Sequence, residues 1–367
     1  LCHCQDRYMV GNSRQYPVNW SAAVCSFVGQ LCASNSIDAS GDVLPMSQGA
    51  VGVIVGDPNG IGPELIAKLL AREANTEQSL VVFGDRHLFE MGAKQAGVSS
   101  DFLEATNIDY RPMETIRPDQ VTLSEMTTIA GQSTLAQLDE VLKACKDGVV
   151  GGFIFGPFNK AAMHLAGLGH DDELHYMATK LEFEGYICEL NVMDTLFTSR
   201  VTSHIALKDV ASTITEERIL EAIELAHSVL AKSGIPSPMI SVCALNPHAG
   251  DGGNFGREEI DVIGPAVDKA KAQGIPVDGP WPSDTIFLRA RDGRTNAVVT
   301  MYHDQGQIAM KLMGFDRGVT VQGGLPYPVT TPAHGTAFDI AGQGKADLGA
   351  TKAAYDLVCT MVKGSNV

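Results

Sequence analysis

Residues 297–311 read AVVTMYHDQGQIAMK. The first five are apolar and largely β-branched, the pattern of a short buried strand. Tyr302-His303-Asp304-Gln305-Gly306 follows at its carboxyl end, and a helix-like apolar spacing then leads to Lys311. In open α/β sheets, ligands bind beyond the carboxyl ends of the strands, so this polar tip is a candidate site. Two other stretches repeat it. Residues 240–245 are apolar and end in Asn246-Pro247-His248-Ala249-Gly250, and Arg200-Val201-Thr202-Ser203-His204 closes a third run. Three strand-end histidines on three separate segments frame the question of what they converge on.

Outward from that stretch, apolar runs and helical patterns alternate along the chain, which predicts an α/β fold with a largely parallel sheet. Residues 51–55 form a strand followed by Gly56-Asp57-Pro58-Asn59-Gly60-Ile61-Gly62-Pro63-Glu64, a glycine-rich corner opening a helix. A helix N-terminus presented in this way favours anions, although the spacing is neither GxGxxG nor a P-loop. Residues 152–155 lead into Gly156-Pro157-Phe158-Asn159-Lys160, where Lys160 reads equally as catalytic or as a solvated helix-start charge. His170-Asp171-Asp172-Glu173-Leu174-His175 is rich in ligand-type side chains, but acidic residues also suit a helix N-terminus, and that reading is preferred. A long amphipathic helix is expected over 211–231, capped by Thr213.

The 367 residues are enough for about two domains, and the net charge of −16 argues against a nucleic-acid surface. No apolar run approaches the roughly 18 residues of a membrane span. The eight cysteines are scattered without CxxC spacing, as expected of buried thiols in a cytoplasmic protein. Residues 1–45 lack periodicity and hold four of those cysteines. They are read as a loosely ordered leader outside the fold, with Met46 as a natural start.

Neutral imidazoles suit zinc and related ions, and three of them with an open position make a reactive site. Each histidine alone reads as a hydrogen-bonded structural residue. Together, with Asp304, Asp284 and Asn246 available to orient them, His204, His248 and His303 are expected to bind one divalent cation, Zn²⁺ first and Co²⁺ or Mg²⁺ next.

The segments TSHIAL, NPHAG, SDTIF, YHDQG with its following lysine, and HGTAFDIAG resemble the PdxA family, named for 4-hydroxythreonine-4-phosphate dehydrogenase of vitamin B6 synthesis. The resemblance runs from about Val51 to Leu357. It implies a two-lobed fold similar to isopropylmalate dehydrogenase, with mostly parallel sheets and a central cleft. It assigns 51–150 plus 300–367 to a cofactor-side lobe, and 151–299 to a metal, substrate and dimerisation lobe. It further implies a homodimer with shared active sites, NAD or NADP as cofactor, and a small hydroxy acid as substrate. The three histidines match the family's metal ligands, and Lys311 its substrate-contacting lysine. The HGTAFDIAG segment places His334, Gly335, Thr336, Ala337 and Asp339 near the nucleotide. Lys160, Lys311, Asp284 and Asp304 are the candidates for proton transfer.

The departures concern substrate. The family's Gly-His-Thr-Glu segment puts its His-Thr on Glu173-Leu174 without gaps, and on His170-Asp171 only after a three-residue shift. An asparagine and an arginine that hold substrate fall on Thr320 and Val329. Losing an arginine removes a bidentate, always-charged partner, so poor activity on 4-phosphohydroxythreonine and better activity on an unphosphorylated hydroxy acid or dihydrodiol carboxylate are expected. The resemblance therefore implies oxidation of a β-hydroxy acid with decarboxylation. A dihydrodiol carboxylate, as in terephthalate degradation, is the alternative substrate. A metal-dependent hydrolase or aldolase is disfavoured by the nucleotide loop, and a non-catalytic metal-binding protein by Lys311 and the paired aspartates.

Overall fold

The computed structural model describes residues 49–314 and 317–365. The expected leader over 1–45 lies outside the described residues. Eleven short strands form one sheet: β1 (Val51–Ile54), β2 (Leu80–Gly84), β3 (Ile108–Pro112), β4 (Gly152–Phe155), β5 (Cys188–Met193), β6 (Leu196–Arg200), β7 (Ile240–Cys243), β8 (Val277–Trp281), β9 (Ala297–Thr300), β10 (Val319–Gly323) and β11 (Val329–Pro332). Most are buried along their length, as strands covered on both faces must be, and β1, β2 and β4 are runs without a polar side chain.

The spatial order is β3-β2-β1-β4-β11-β10-β5-β6-β9-β7-β8. Parallel pairs build both flanks, from β3 to β11 on one side and from β6 to β8 on the other. The middle is different: β11 to β10, β10 to β5 and β5 to β6 are all antiparallel. The fold is thus α/β with a mostly parallel sheet, and its antiparallel centre is the part that alternation of strands and helices did not announce.

The strands carrying the three histidines are neighbours, in the order β6-β9-β7 and all parallel. Their carboxyl ends therefore open on one side of the sheet. Two cross-links fix that rim. Thr202 donates to the Met301 carbonyl through both its backbone N–H (3.1 Å) and its hydroxyl (2.8 Å). Gln305 accepts from Met301 N–H and donates to the Ala244 carbonyl, both at 2.7 Å, so the amide of the opening stretch is a staple between strand ends.

The helix expected over 211–231 is two helices. Thr213 returns its hydroxyl to the Asp209 carbonyl (2.7 Å) and ends the short piece Val210–Thr213. Thr215 caps the long one, Glu216–Lys232, by accepting from Arg218 N–H. No helix among the described residues is long and apolar enough to cross a membrane.

Candidate active site

His303 opens the helix His303–Gly314, immediately past β9. Its Nδ1 lies 2.7 Å from Asp304 Oδ1, a carboxylate contact that orients the ring and leaves Nε2 for a ligand. His204 sits in the exposed turn after β6, with its ring centroid 5.5 Å from that of His303. That separation is compatible with both rings reaching one ion at roughly 2.0–2.1 Å. His248 does not join them in a single chain. It stands in a run of left-handed residues, 248–252, and packs its ring 6.3 Å from Phe255. Glu259 holds this loop by accepting from Leu245 N–H (2.9 Å) and Asn246 N–H (2.7 Å). Among the described residues no three His, Cys, Asp or Glu side chains close on one metal-sized point. The imidazoles therefore fit a transition-metal site in chemistry, and one chain brings the rings of His204 and His303 side by side.

Beside His303 lies a cavity of about 290 Å³. One wall is polar: Lys160, Glu173, Glu189, Asn191, Arg200 and Thr320. Strand alternation explains its origin, because Glu189 and Asn191 are two apart on β5, and Thr320 on β10 is the direct antiparallel partner of Asn191. Arg200, the last residue of β6, is buried against them. Lys160 begins a helix capped by Asn159, and its ammonium lies 3.0 Å from Glu173 and 3.9 Å from Glu189. Burial works to lower the Lys160 pKa, but the two carboxylates outweigh it and hold the amine above its usual range. Burial pushes the Glu173 carboxyl up, with Lys160 opposing. Lys160 is accordingly a paired cation inside the site.

Glu173 reaches the cavity because Asp172 is the helix cap, accepting from His175 N–H at 3.0 Å. The acidic run is thus a helix start, as preferred from sequence. The same geometry leaves His170 and Asp171 outside the cavity lining, His170 edge-on to Tyr176 at 5.9 Å and Asp171 exposed. Val329, expected at the substrate, is a core residue paired with Phe153. The next residue on its face, Thr331, lines the cavity instead. Asp284 is exposed in the first turn of the helix Ser283–Arg291 and does not line the cavity. Lys311 does, as do His334 and Gly335 of the expected nucleotide loop.

That loop is docked on the glycine-rich corner. Ile61 N–H donates to the Thr336 carbonyl at 3.1 Å, and a Cβ on Gly60 would stand 2.8 Å from Thr336 Cβ. Ala337 adopts a left-handed φ of 41°, and Asp339 is exposed, its carbonyl accepting from Gln343. The loop's His334 and Gly335 thus border the cavity, and the corner holds that loop through Thr336.

The family model described as pyridoxal phosphate biosynthetic protein PdxA matches residues 76–358. This chain belongs to the PdxA family. A Pseudomonas aeruginosa relative named "Putative 4-hydroxythreonine-4-phosphate dehydrogenase 2" is 50% identical, covering 84% of this chain and 96% of its own. An Oceanobacillus iheyensis relative named "Putative D-threonate 4-phosphate dehydrogenase" is 36% identical over 81% and 93%. The solved 4-hydroxythreonine-4-phosphate dehydrogenase of Klebsiella pneumoniae superposes with a TM-score of 0.74 at 31% identity, covering 87% of this chain and all of that one. Within this PdxA chain, sequence reading overlooked Glu189, Asn191 and Arg200. The signal available was the pattern Cys-Glu-Leu-Asn-Val-Met over β5, polar at alternate positions.

Proposed function

We propose that this PdxA-family chain is an NAD(P)-dependent dehydrogenase that oxidises the hydroxyl of a small 4-phosphorylated hydroxy acid and promotes its decarboxylation. The reading is carried by the cavity that brings His303, Lys311 and the His334–Gly335 loop to one polar pocket. Relatives named for two different acids share the 4-phosphate in their names, which supports a phosphorylated substrate.

A divalent ion held by His204 and His303 would acidify the substrate hydroxyl and polarise the carbonyl that oxidation creates. Two imidazoles favour Zn²⁺ or Co²⁺ over Mg²⁺. Lys160, kept protonated by Glu173 and Glu189, is suited to donating a proton or stabilising developing negative charge rather than to accepting a proton. His334 and Gly335 border the cavity where the nucleotide would approach.

The third imidazole in this proposal is His248 from a second copy. Each histidine stands near exposed apolar side chains: Ile205 and Leu207 after His204, Phe255 beside His248, and Ile308 and Leu312 on the His303 helix. Such a face calls for a partner surface.

The test is NADH or NADPH formation by the purified enzyme on D-threonate 4-phosphate, 4-hydroxythreonine 4-phosphate and unphosphorylated hydroxy acids. Turnover of a phosphorylated acid, abolished by chelator and restored by Zn²⁺ or Co²⁺, is expected. Turnover confined to unphosphorylated acids, or none with either nucleotide, overturns the proposal.

A further inference from the structure

Neither Thr320 nor Val329 brings a positive charge to the cavity, yet its wall contains a guanidinium. Arg200 Nε donates to Ser203 Oγ (3.0 Å), Nη1 to Asn191 Oδ1 (3.1 Å) and Nη2 to Glu189 Oε2 (2.8 Å). A guanidinium has five N–H donors, so these three bonds leave one N–H on each terminal nitrogen. Arg200 is only 6% exposed and lines the cavity. Its orientation is therefore fixed by a protein partner on each of its three nitrogens, while two donors remain for a ligand.

Resting on the function proposed above, we propose that Arg200 is the specificity-determining residue that receives the substrate's phosphoryl group, with Asn191 and Thr320 completing its seat. The three residues are linked. Asn191 accepts from Arg200 and donates through Nδ2 to Thr320 Oγ1 at 3.4 Å, and Gln307 donates to the same Asn191 oxygen from the His303 helix. Glu189 serves as the counter-ion that keeps the guanidinium in place when no anion is bound. The fork geometry matches a tetrahedral oxyanion, which accepts two parallel N–H bonds from one arginine. The charged group comes from β6, two strands away from β10, and reaches the cavity through the antiparallel ribbon.

Arg200→Lys keeps a positive charge beside Glu189 but removes the fork, and Arg200→Leu removes both. Each is compared with the wild type on D-threonate 4-phosphate and on D-threonate. For Arg200→Lys the KM for the phosphorylated acid is expected to rise about tenfold to a hundredfold, with kcat much less affected. The preference for the phosphorylated over the unphosphorylated acid should fall by a similar factor. Calorimetric titration with inorganic phosphate should weaken in parallel, and metal content should stay at the wild-type level. An equal rise in KM for both acids would assign Arg200 to the carboxylate or to the scaffold and overturn the proposal. A wild-type enzyme that turns over no phosphorylated acid refutes the broader function, and the phosphate titration then still decides on Arg200: unchanged affinity in both variants rejects it.

Discussion

Asp57 follows β1 in the glycine-rich corner and is 1% exposed. One carboxylate oxygen accepts from Asn59 N–H at 2.8 Å; the other has no partner among the described residues. Burial raises its pKa from 3.8 to about 6, and the Asn59 bond only partly offsets this. The folded state thus binds the proton more tightly than the unfolded one. Its contribution to stability is fully present below about pH 4 and is lost as the pH rises through about 6. Asp57→Asn keeps an acceptor for Asn59 and removes the buried charge. Urea unfolding at pH 8 should show a gain of about 1–3 kcal/mol, and at pH 4 little change. An equal effect at both pH values would mean that the carboxyl is not the titrating group.

Single residues also differ in how far a linear sequence discloses them. His303, Asp304 and Lys311 were legible because an apolar run that ends in an imidazole, a carboxylate and an amide marks a strand end open to a ligand. Arg200 was not, because its meaning depends on Glu189 and Asn191 across a strand turn and on Thr320 more than a hundred residues away. Val329 was misplaced for the opposite reason: alignment gives a position, whereas strand depth decides whether it meets the cavity or the core.

Among elements, the corner after β1 and the loop carrying Thr336 depend on one small residue. A side chain at Gly60 would lie 2.8 Å from Thr336 Cβ and 2.9 Å from its carbonyl oxygen, both far inside contact distance. Gly60→Ala should force the loop away, costing about 1–3 kcal/mol of stability as overpacking does. Fluorescence titration with NADH should show weaker binding, and unaltered affinity with unaltered melting temperature would remove the corner from the cofactor's surroundings. The strand β1 and its helix were readable from local pattern alone. The break at Ile214 was not, because threonines at 213 and 215 compete as caps and only hydrogen-bond partners tell them apart.

For the whole molecule, the proposed second copy makes a prediction about assembly. Ile308 and Leu312 stand one helical turn apart and are 60% and 84% exposed. Replacing them together by Glu and Lys should leave the monomer's fold intact, since neither contributes to a buried core. Sedimentation should change from dimer to monomer, and bound metal should fall at least tenfold as the third imidazole is lost. A variant that remains dimeric with full metal content would place the contact elsewhere.

The order in which the chain is made gives the antiparallel centre a further meaning. β10 and β11 are the last strands to be translated, yet they lie between β4 and β5. Val329 pairs with Phe153, a partner that left the ribosome long before it. Until residues 319–332 emerge, β4 and β5 lack the strands that separate and pair them, and any sheet formed around either has a bare edge that invites mispairing. The middle of this sheet is therefore a late insertion that seals two waiting edges, and it makes the C-terminal segment the step that commits the chain to its final shape.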